Sequence, residues 1–154
     1  MPAFSIEGPR FGQAAVCEPV LRALPAWFGI ERAILQYLAD IEHLPTFLAR
    51  REGQVAGFVS LKQHFPASAE LLVMGVRPEA HRRGIGRALL ERAQAWLVAQ
   101  GVEYLQVKTL GPSDPDENYA KTRAFYQAMG FRPLEEIPEI WDEDNPCLVM
   151  VKKL

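Results

Sequence analysis

The stretch VRPEAHRRGIGRALL, Val76–Leu90, is the part of the chain from which we interpret the rest. An apolar segment of strand length, ELLVMG, directly precedes it, and residues from Ile85 onward have the apolar spacing of an amphipathic helix. Arg82, Arg83 and Arg87 therefore lie where a helix begins, although the partial positive charge there should repel them. A bound anion would compensate. The two glycines between these arginines would let a phosphate or pyrophosphate approach the backbone N–H groups.

A basic turn and a known nucleotide-binding motif are the other interpretations of this stretch. A solvated basic turn remains an alternative on these residues alone. The known nucleotide motifs do not fit, because G-x-x-x-x-G-K-[ST] is absent. Gly84-Ile85-Gly86 also lacks the third glycine and the downstream acid of a dinucleotide fold.

Arg83-Gly84-Ile85-Gly86 and its flanks resemble the acetyl-CoA pyrophosphate loop of the GNAT superfamily of N-acetyltransferases. The pattern of that family is [Gln/Arg]-x-x-Gly-x-[Gly/Ala], and His81 fills its first position here, which is a departure. Either His81 does the same work or Arg82 supplies the charge. The resemblance implies acetyl-CoA as cofactor, bound by His81, Arg82, Arg83, Gly84, Ile85, Gly86 and Arg87.

Composition is that of one ordinary globular domain, residues 1–154, with 49% apolar and 23% charged residues. There is no run of 18 apolar residues for a membrane span. The N-terminus lacks the apolar region of a secretory signal. A net charge of −2 argues against nucleic acid as a general partner. These features predict a cytoplasmic protein with no membrane and no nucleic-acid partner.

Cysteine and histidine are too few and too scattered for a disulfide framework or a metal site. The residues in question are Cys17, Cys147, His43, His64 and His81. We therefore expect no metal.

Apolar periodicity and turn residues predict the order β-α-α-β-β-β-α-β-α-β-β. This order resembles the GNAT fold over essentially the whole chain. It implies the α/β class, with a mixed central sheet of about seven strands flanked by about four helices. The first predicted segments are a strand Phe4–Glu7 ended by Gly8-Pro9, a weak helix Phe11–Leu24 interrupted by Pro19, a loop Pro25–Gly29, and a helix Ile30–His43 with Ile34, Leu35, Leu38 and Ile41 on one face. The middle of the chain is predicted to form strands Thr46–Arg51, Val55–Lys62 and Glu70–Val76, a helix Ile85–Gln100 and a strand Glu103–Thr109. The last predicted segments are a loop Gly111–Asn118, a helix Tyr119–Met129, and strands Phe131–Ile137 and Cys147–Lys152 around an acidic loop Pro138–Pro146.

Gly75 lies inside the predicted central strand, where a glycine often marks a bulge or a close backbone approach. The family resemblance implies a bulge that splays two parallel strands, so that the pantetheine arm bonds to backbone groups. Met74, Gly75 and Val76 occupy those positions. The alternative is a glycine retained for packing beside a helix.

The segment YAKTRAFYQAMGF, Tyr119–Phe131, resembles the C-terminal GNAT motif. Tyr126 falls where the family places a tyrosine near the thioester sulfur, and its phenol could protonate or hydrogen-bond the departing thiolate. A tyrosine that is simply buried is the alternative. Tyr119 stands where many members have asparagine, and Asn118 beside it is a candidate CoA contact.

The general base is left open between two residues. The resemblance points to Glu70 on the central strand, since family members often use a glutamate there. On the next strand the corresponding position is Gln106, which cannot serve. His64 titrates near neutrality and is a further option. For Glu70 and His64, an ordinary surface position is the alternative.

The acceptor is expected to be an amine that carries positive charge, because acidic residues crowd the last third of the chain. The resemblance places the acceptor cleft near the first two helices and the last loop, where Trp27, Phe28 and Trp141 would frame it. A solvated acidic turn is the alternative. The acids are Asp114, Asp116, Glu117, Glu135, Glu136, Glu139, Asp142, Glu143 and Asp144.

The sequence thus predicts an acetyltransferase that moves an acetyl group from acetyl-CoA to a primary amine of a small molecule or protein. The amine would attack directly in a ternary complex. One alternative is a catalytically silent acyl-CoA-binding or regulatory domain on the same fold. Another is an interaction module whose basic loop binds nucleic-acid phosphates. A homodimer is compatible with the sequence, because C-terminal edge strands need covering and the resemblance implies pairing there, but the sequence does not decide between a homodimer and a monomer.

Overall fold

The protein is described by a computed structural model in which residues 3–154 are placed. The order of helices and strands over these residues is the predicted one. A short 3-10 turn, Pro78–Ala80, precedes the third α-helix. The elements are β1 (Ser5–Arg10), α1 (Ala14–Arg22), α2 (Glu31–Ile41), β2 (Thr46–Arg51), β3 (Gln54–Phe65), β4 (Ser68–Val76), α3 (Ile85–Ala99), β5 (Tyr104–Leu110), α4 (Glu117–Ala128), β6 (Arg132–Asp142) and β7 (Asn145–Lys153).

The sheet is mixed and its strands lie in the order β1-β2-β3-β4-β5-β7-β6. β4 and β5 pair in parallel, from Ser68 opposite Tyr104 to Leu71 opposite Val107. The pairs β1–β2, β2–β3, β5–β7 and β6–β7 are antiparallel. The predicted α/β class with a seven-stranded mixed sheet and four α-helices is confirmed.

The chain folds as two compact units, and β4 contributes to both. The first unit holds residues up to Lys62 together with Leu72–Gln100. In its core, α1 and α2 bury apolar side chains against one face of the strands, where Phe58 and Val73 are nearly inaccessible. α3 buries Ile85, Leu89, Leu90, Ala93 and Leu97.

The second unit holds Gln63–Leu71 and Gly101–Leu154. It contains the parallel pairing of β4 with β5, the β6–β7 hairpin and α4. Its buried apolar side chains are Ala69, Leu71, Val102, Leu105, Val107, Leu110, Tyr126, Met129, Phe131, Cys147, Leu148, Val149 and Met150.

Two element predictions in the first unit were wrong. Gly8-Pro9 does not end β1, since the strand continues to Arg10 with an irregular register against β2. Only glycine fits at position 8, where a Cβ would lie 2.7 Å from the Thr46 carbonyl oxygen. α1 continues through Pro19 because the helix buries Cys17, Val20 and Leu21.

Leu35 does not belong to the buried face of α2. The sequence grouped it with Ile34, Leu38 and Ile41, but it is 54% exposed. Ile34 and Ile41 are buried, and Leu38 is partly buried against the same core. A stripe at positions 34, 38 and 41 is sufficient to cover the strands beneath, which leaves Leu35 at the edge of the contact.

Two further corrections concern the second unit. α4 begins at Glu117, so Asn118 lies in its first turn rather than in a loop. The Asp116 side chain caps this helix by accepting from the N–H groups of Asn118 and Tyr119. The expected acidic loop Pro138–Pro146 is mostly strand, because β6 extends to Asp142 and β7 starts at Asn145.

Candidate active site

The loop between β4 and α3 has the backbone geometry of an anion-binding turn. Arg82 has a φ of 62° and Gly84 a φ of 79°, both left-handed. Such residues direct neighbouring N–H groups into a shared concavity. The first bond within α3 runs from the Ala88 N–H to the Gly84 carbonyl, at 3.0 Å. The N–H groups of residues 85–87 thus have no acceptor within the helix and can donate to a ligand.

Three exposed arginines surround this helix start: Arg82, Arg83 and Arg87. Arg87 reaches Glu91 at 3.5 Å, but both side chains are well exposed, so the pair contributes little. Within residues 3–154, no salt bridge involves Arg82 or Arg83. The first turn of α3, which is fully described, has no acidic residue. The positive charge is therefore available to an anion.

His81 is bonded to the end of β4. Its Nε2 donates to the Val76 carbonyl oxygen at 2.7 Å, and its ring meets the edge of Trp27 with centroids 6.2 Å apart. A carbonyl oxygen only accepts, so the proton lies on Nε2. His81 fastens the loop to the strand, and the charge beside the helix start comes from the arginines.

Gly75 in the central strand allows α1 and the residues after it to pack closely against the strand. A Cβ on Gly75 would lie 3.2 Å from Leu24 and 3.3 Å from Val20, on α1 and just beyond its end. The alternative that the sequence left open, a glycine that lets a helix pack closely, is thus present in the structure. The expected role of Met74, Gly75 and Val76 in binding the cofactor through their backbone remains a prediction.

Trp27 and Phe28 lie in the turn after α1 and are partly buried against the core of the first unit. Phe28 meets Tyr37 of α2 edge-on, with centroids 5.8 Å apart. Trp27 reaches the loop of residues 77–84 between β4 and α3, which we call the phosphate loop, through its contact with His81. The structure therefore brings Trp27, one of the three predicted acceptor aromatics, to this loop.

Glu70 is buried, contrary to the surface alternative that the sequence left open. It is 3% exposed, and both of its partners bind the same carboxylate oxygen. His64 Nε2 donates to Glu70 Oε1 at 2.8 Å, and Lys108 Nζ donates to Oε1 at 3.4 Å. Glu70 pairs across the strands with Gln106. We call these residues, His64, Glu70 and Lys108, the Glu70 cluster.

Cys147 on β7 lies close enough to the Glu70 cluster for the charges of Lys108 and Glu70 to affect the pKa of its thiol. Burial raises the pKa of the Cys147 thiol to about 11, with a lowering effect of Lys108 and a raising effect of Glu70. A thiol with this pKa is protonated near neutrality and is a poor nucleophile. Cys17 in the first unit is also buried, which raises its pKa to about 12.

Tyr126 lies on the buried face of α4. Its ring meets Phe125 and Phe131 edge-on, with both centroid distances at 5.5 Å. Just beyond the end of α4, the Phe131 N–H donates to the Tyr126 carbonyl oxygen, and Gly130 between the helix and Phe131 has a φ of 99°. Arg123 ties the same helix to β5 by donating to the Leu110 carbonyl oxygen at 2.6 Å.

Most acidic side chains of the β6–β7 hairpin are exposed, and one of them accepts hydrogen bonds within the turn. Asp142 accepts from the Asp144 N–H at 3.0 Å and from the Asn145 side chain at 2.9 Å. This carboxylate therefore stabilises the turn itself. Trp141 beside it is 40% exposed.

Two residues with clear structural functions were not singled out from the sequence. Lys108 belongs to the Glu70 cluster, and Arg77 fastens the end of β4 to β3 by donating to the Val55 carbonyl oxygen at 2.9 Å. An isolated lysine on a strand gives no signal of burial beside a carboxylate. For Arg77, the signal in the sequence is its position directly after the predicted central strand.

Neither a metal site nor a membrane span can be recognised in the described part of the chain. In residues 3–154, no three His, Cys, Asp or Glu side chains are arranged to hold a metal ion. None of the helices described here is both long and apolar enough to cross a membrane.

Comparison with protein families gives one match, to the family described as Acetyltransferase (GNAT) domain, over residues 42–133. Mycothiol acetyltransferase from Beutenbergia cavernae is 39% identical over 83 residues, which cover 54% of this chain and 26% of that protein. An uncharacterized N-acetyltransferase from Chlorobaculum tepidum is 32% identical over 111 residues, which cover 70% of this chain and 64% of that protein. The chain thus spans less than two thirds of either relative.

A solved structure shows the same fold over the whole length. It is a GNAT family acetyltransferase from Elizabethkingia anophelis with acetyl-CoA bound. The two chains are 16% identical, superpose with a TM-score of 0.74, and cover 100% of each other.

Proposed function

This chain belongs to the GNAT acetyltransferase family, and on that premise we propose that it transfers an acetyl group from acetyl-CoA to a primary amine. The acceptor is a small molecule or a protein amine. The observation that carries the proposal is the phosphate loop, where left-handed Arg82 and Gly84 precede an arginine-flanked helix start. A diphosphate is the ligand that such a site fits.

Acetyl-CoA would be bound through backbone and side chains that the family resemblance assigns. The loop residues His81 to Arg87 hold the pyrophosphate, with the N–H groups of residues 85–87 as donors. Met74, Gly75 and Val76 offer backbone groups to the pantetheine arm. Asn118 and Tyr126 on α4 are further contacts in this proposal.

Acetyl-CoA supplies an acetyl thioester that an amine attacks directly, without an enzyme-bound intermediate. The high pKa of the buried Cys147 thiol, about 11, supports this route over a cysteine nucleophile. Glu70 accepts the proton that the amine must lose, through Oε2, which takes part in neither bond of the Glu70 cluster. The Tyr126 hydroxyl donates to the departing sulfur.

The acceptor in this proposal carries positive charge and is framed by Trp27, Phe28 and Trp141. Glu135, Glu136, Glu139 and Glu143 of the β6–β7 hairpin contribute negative charge. A cytoplasmic location and a homodimer remain part of the proposal, the second because β6 is a largely exposed strand at the edge of the sheet.

A catalytically silent acyl-CoA-binding domain has less support than an enzyme. Binding alone does not need a carboxylate that is desolvated and bonded to two ionisable side chains, since such burial costs stability. The nucleic-acid alternative has less support as well, because the net charge of the chain is −2.

The test is release of CoA thiol with a panel of primary amines, with Glu70→Gln and Tyr126→Phe beside the wild type. Glu70→Gln should lower kcat/KM about 100-fold or more, and Tyr126→Phe about 10-fold or more, as expected for lost proton transfer. Exposed Tyr104→Phe is the matched control and should leave kcat/KM unchanged. Thiol release that neither active-site variant lowers would contradict the assigned roles, and no release from folded wild type would contradict the enzyme.

A further inference from the structure

The Glu70 cluster contains a residue that neither the sequence motifs nor the family resemblance assigns. Lys108 lies on β5 and reaches the buried carboxylate of Glu70 from the neighbouring strand. Its side chain is 30% exposed, whereas that of Glu70 is 5% exposed. The ammonium group therefore stands at the boundary between solvent and the buried carboxylate.

We propose that Lys108 is a positioning residue that keeps Glu70 ionised and fixes its orientation, so that Glu70 can accept the proton of the acceptor amine. The proposal rests on the proposed function, in which Glu70 is the proton acceptor. Lys108 itself does not touch the reacting atoms in this account.

The first argument is electrostatic. Burial disfavours the charged form of a carboxylic acid, and an opposite charge close by restores it. Lys108 Nζ is 3.4 Å from Glu70 Oε1, a distance at which attraction between unit charges is strong in a protein interior. Without that charge, the effect of burial would be left unopposed, and burial favours the protonated acid over the carboxylate that could accept a proton.

The second argument is the division of the two carboxylate oxygens. Lys108 and His64 both donate to Oε1, from β5 and from β3. The two donors, from two strands, fix the carboxylate through one oxygen, and Oε2 takes part in neither bond. The result is an orientation that a buried glutamate alone would not keep.

The other ionisable groups around Glu70 cannot replace Lys108. His64 contributes an opposite charge only when it is protonated. The Cys147 thiol on β7 is neutral near neutral pH, because burial raises its pKa to about 11. Gln106, opposite Glu70 on β5, has no charge. Lys108 is thus the partner of Glu70 whose positive charge does not depend on an imidazole.

The experiment compares pH profiles of kcat/KM for wild type, Lys108→Met, Lys108→Gln and Lys108→Arg. Loss of the charge in Lys108→Met and Lys108→Gln should move the acid limb, the low-pH side on which kcat/KM rises with pH, to higher pH by about one unit or more. At a given pH on that side, kcat/KM should then be roughly 10-fold lower than in wild type. Lys108→Arg keeps the charge and should restore most of the wild-type profile. Exposed Lys153→Met on β7 removes the same charge elsewhere and should not move the limb.

A second measurement separates this inference from the proposed function. NMR titration of the glutamate side-chain carboxyl carbons, with Glu70 identified by its loss in Glu70→Gln, needs no substrate. The Glu70 signal should titrate at higher pH in Lys108→Met and Lys108→Gln than in wild type and Lys108→Arg. An unchanged titration in folded variants would overturn the inference. A shifted titration in a protein that transfers no acetyl group would support the charge effect and contradict the enzyme.

Discussion

At the scale of single residues, the buried ionisable side chains determine what chemistry the protein can perform. The carboxylate of Glu70 accepts from two donors on one oxygen, whereas the thiol of Cys147 on β7 experiences burial and two opposing charges. One group is therefore suited to proton transfer and the other is not. Their difference arises from partners and not from burial, since both side chains are almost inaccessible.

The two buried thiols should make stability fall at alkaline pH. Their ordinary pKa of 9.0 is raised to about 12 for Cys17 and about 11 for Cys147. A pKa that is higher in the folded than in the unfolded state gives stability that is complete below pH 9 and is lost as pH rises toward the folded values. The free energy of unfolding should fall by about 1 kcal/mol per cysteine between about pH 9 and pH 10.

Urea unfolding of wild type, Cys17→Ala and Cys147→Ala over that pH range measures this loss. Each variant is less stable from its smaller side chain, so the slope with pH and not the stability itself is compared. Each slope should be shallower than that of wild type. Slopes that match wild type would show that the thiols do not titrate differently in the folded protein.

The sequence could name Glu70 as a candidate, but it could not show the Glu70 cluster. Lys108 is 38 residues away from Glu70 in the chain, and the two meet only through the parallel pairing of β4 with β5. His64 meets Glu70 through the turn between β3 and β4. Local patterns carry no information on such pairings, so the surface alternative for Glu70 could be discarded only with the structure.

At the scale of elements, the start of α3 is the feature on which the proposed binding of acetyl-CoA depends. Gly84 precedes the helix with a φ of 79°, and a Cβ there would meet nothing within 4 Å. The need for glycine is thus one of backbone conformation and not of space.

Gly84→Ala should therefore lower the free energy of unfolding by about 1 kcal/mol, through left-handed strain alone. Gly84→Asn should cost less, because asparagine tolerates this conformation better than alanine. Chemical denaturation of the three proteins measures the order, with wild type the most stable and Gly84→Ala the least. Equal stability of the two variants would indicate that a steric contact, and not φ, determines the residue.

Element prediction succeeded where one periodicity or one turn signal dominated. The Glu52-Gly53 turn, with φ values of 55° and 75°, joins β2 and β3 as predicted. It failed at β6, because Pro138 and a run of acids are typical of a loop. An edge strand tolerates both, since one side of its backbone and most of its side chains face solvent.

At the scale of the whole molecule, the order of the elements and the class of the fold followed from the sequence, whereas the grouping of the site residues did not. The phosphate loop, His81 and Trp27 belong to the first compact unit. The Glu70 cluster, Tyr126 and the β6–β7 hairpin belong to the second. A motif search finds the loop because its residues are contiguous. It cannot find the cluster, whose members come from three strands.

The most direct test of the central claim is acetyl-CoA binding by calorimetry, on wild type and on the Arg83→Ala, Gly84→Asp double variant. The double variant removes one arginine and introduces an acid at the start of α3, while circular dichroism and thermal unfolding show whether it is folded. Micromolar binding by wild type that is lost in the folded variant is the predicted result. Absence of binding by folded wild type, or equal binding by both proteins, would contradict the assignment of acetyl-CoA to this loop.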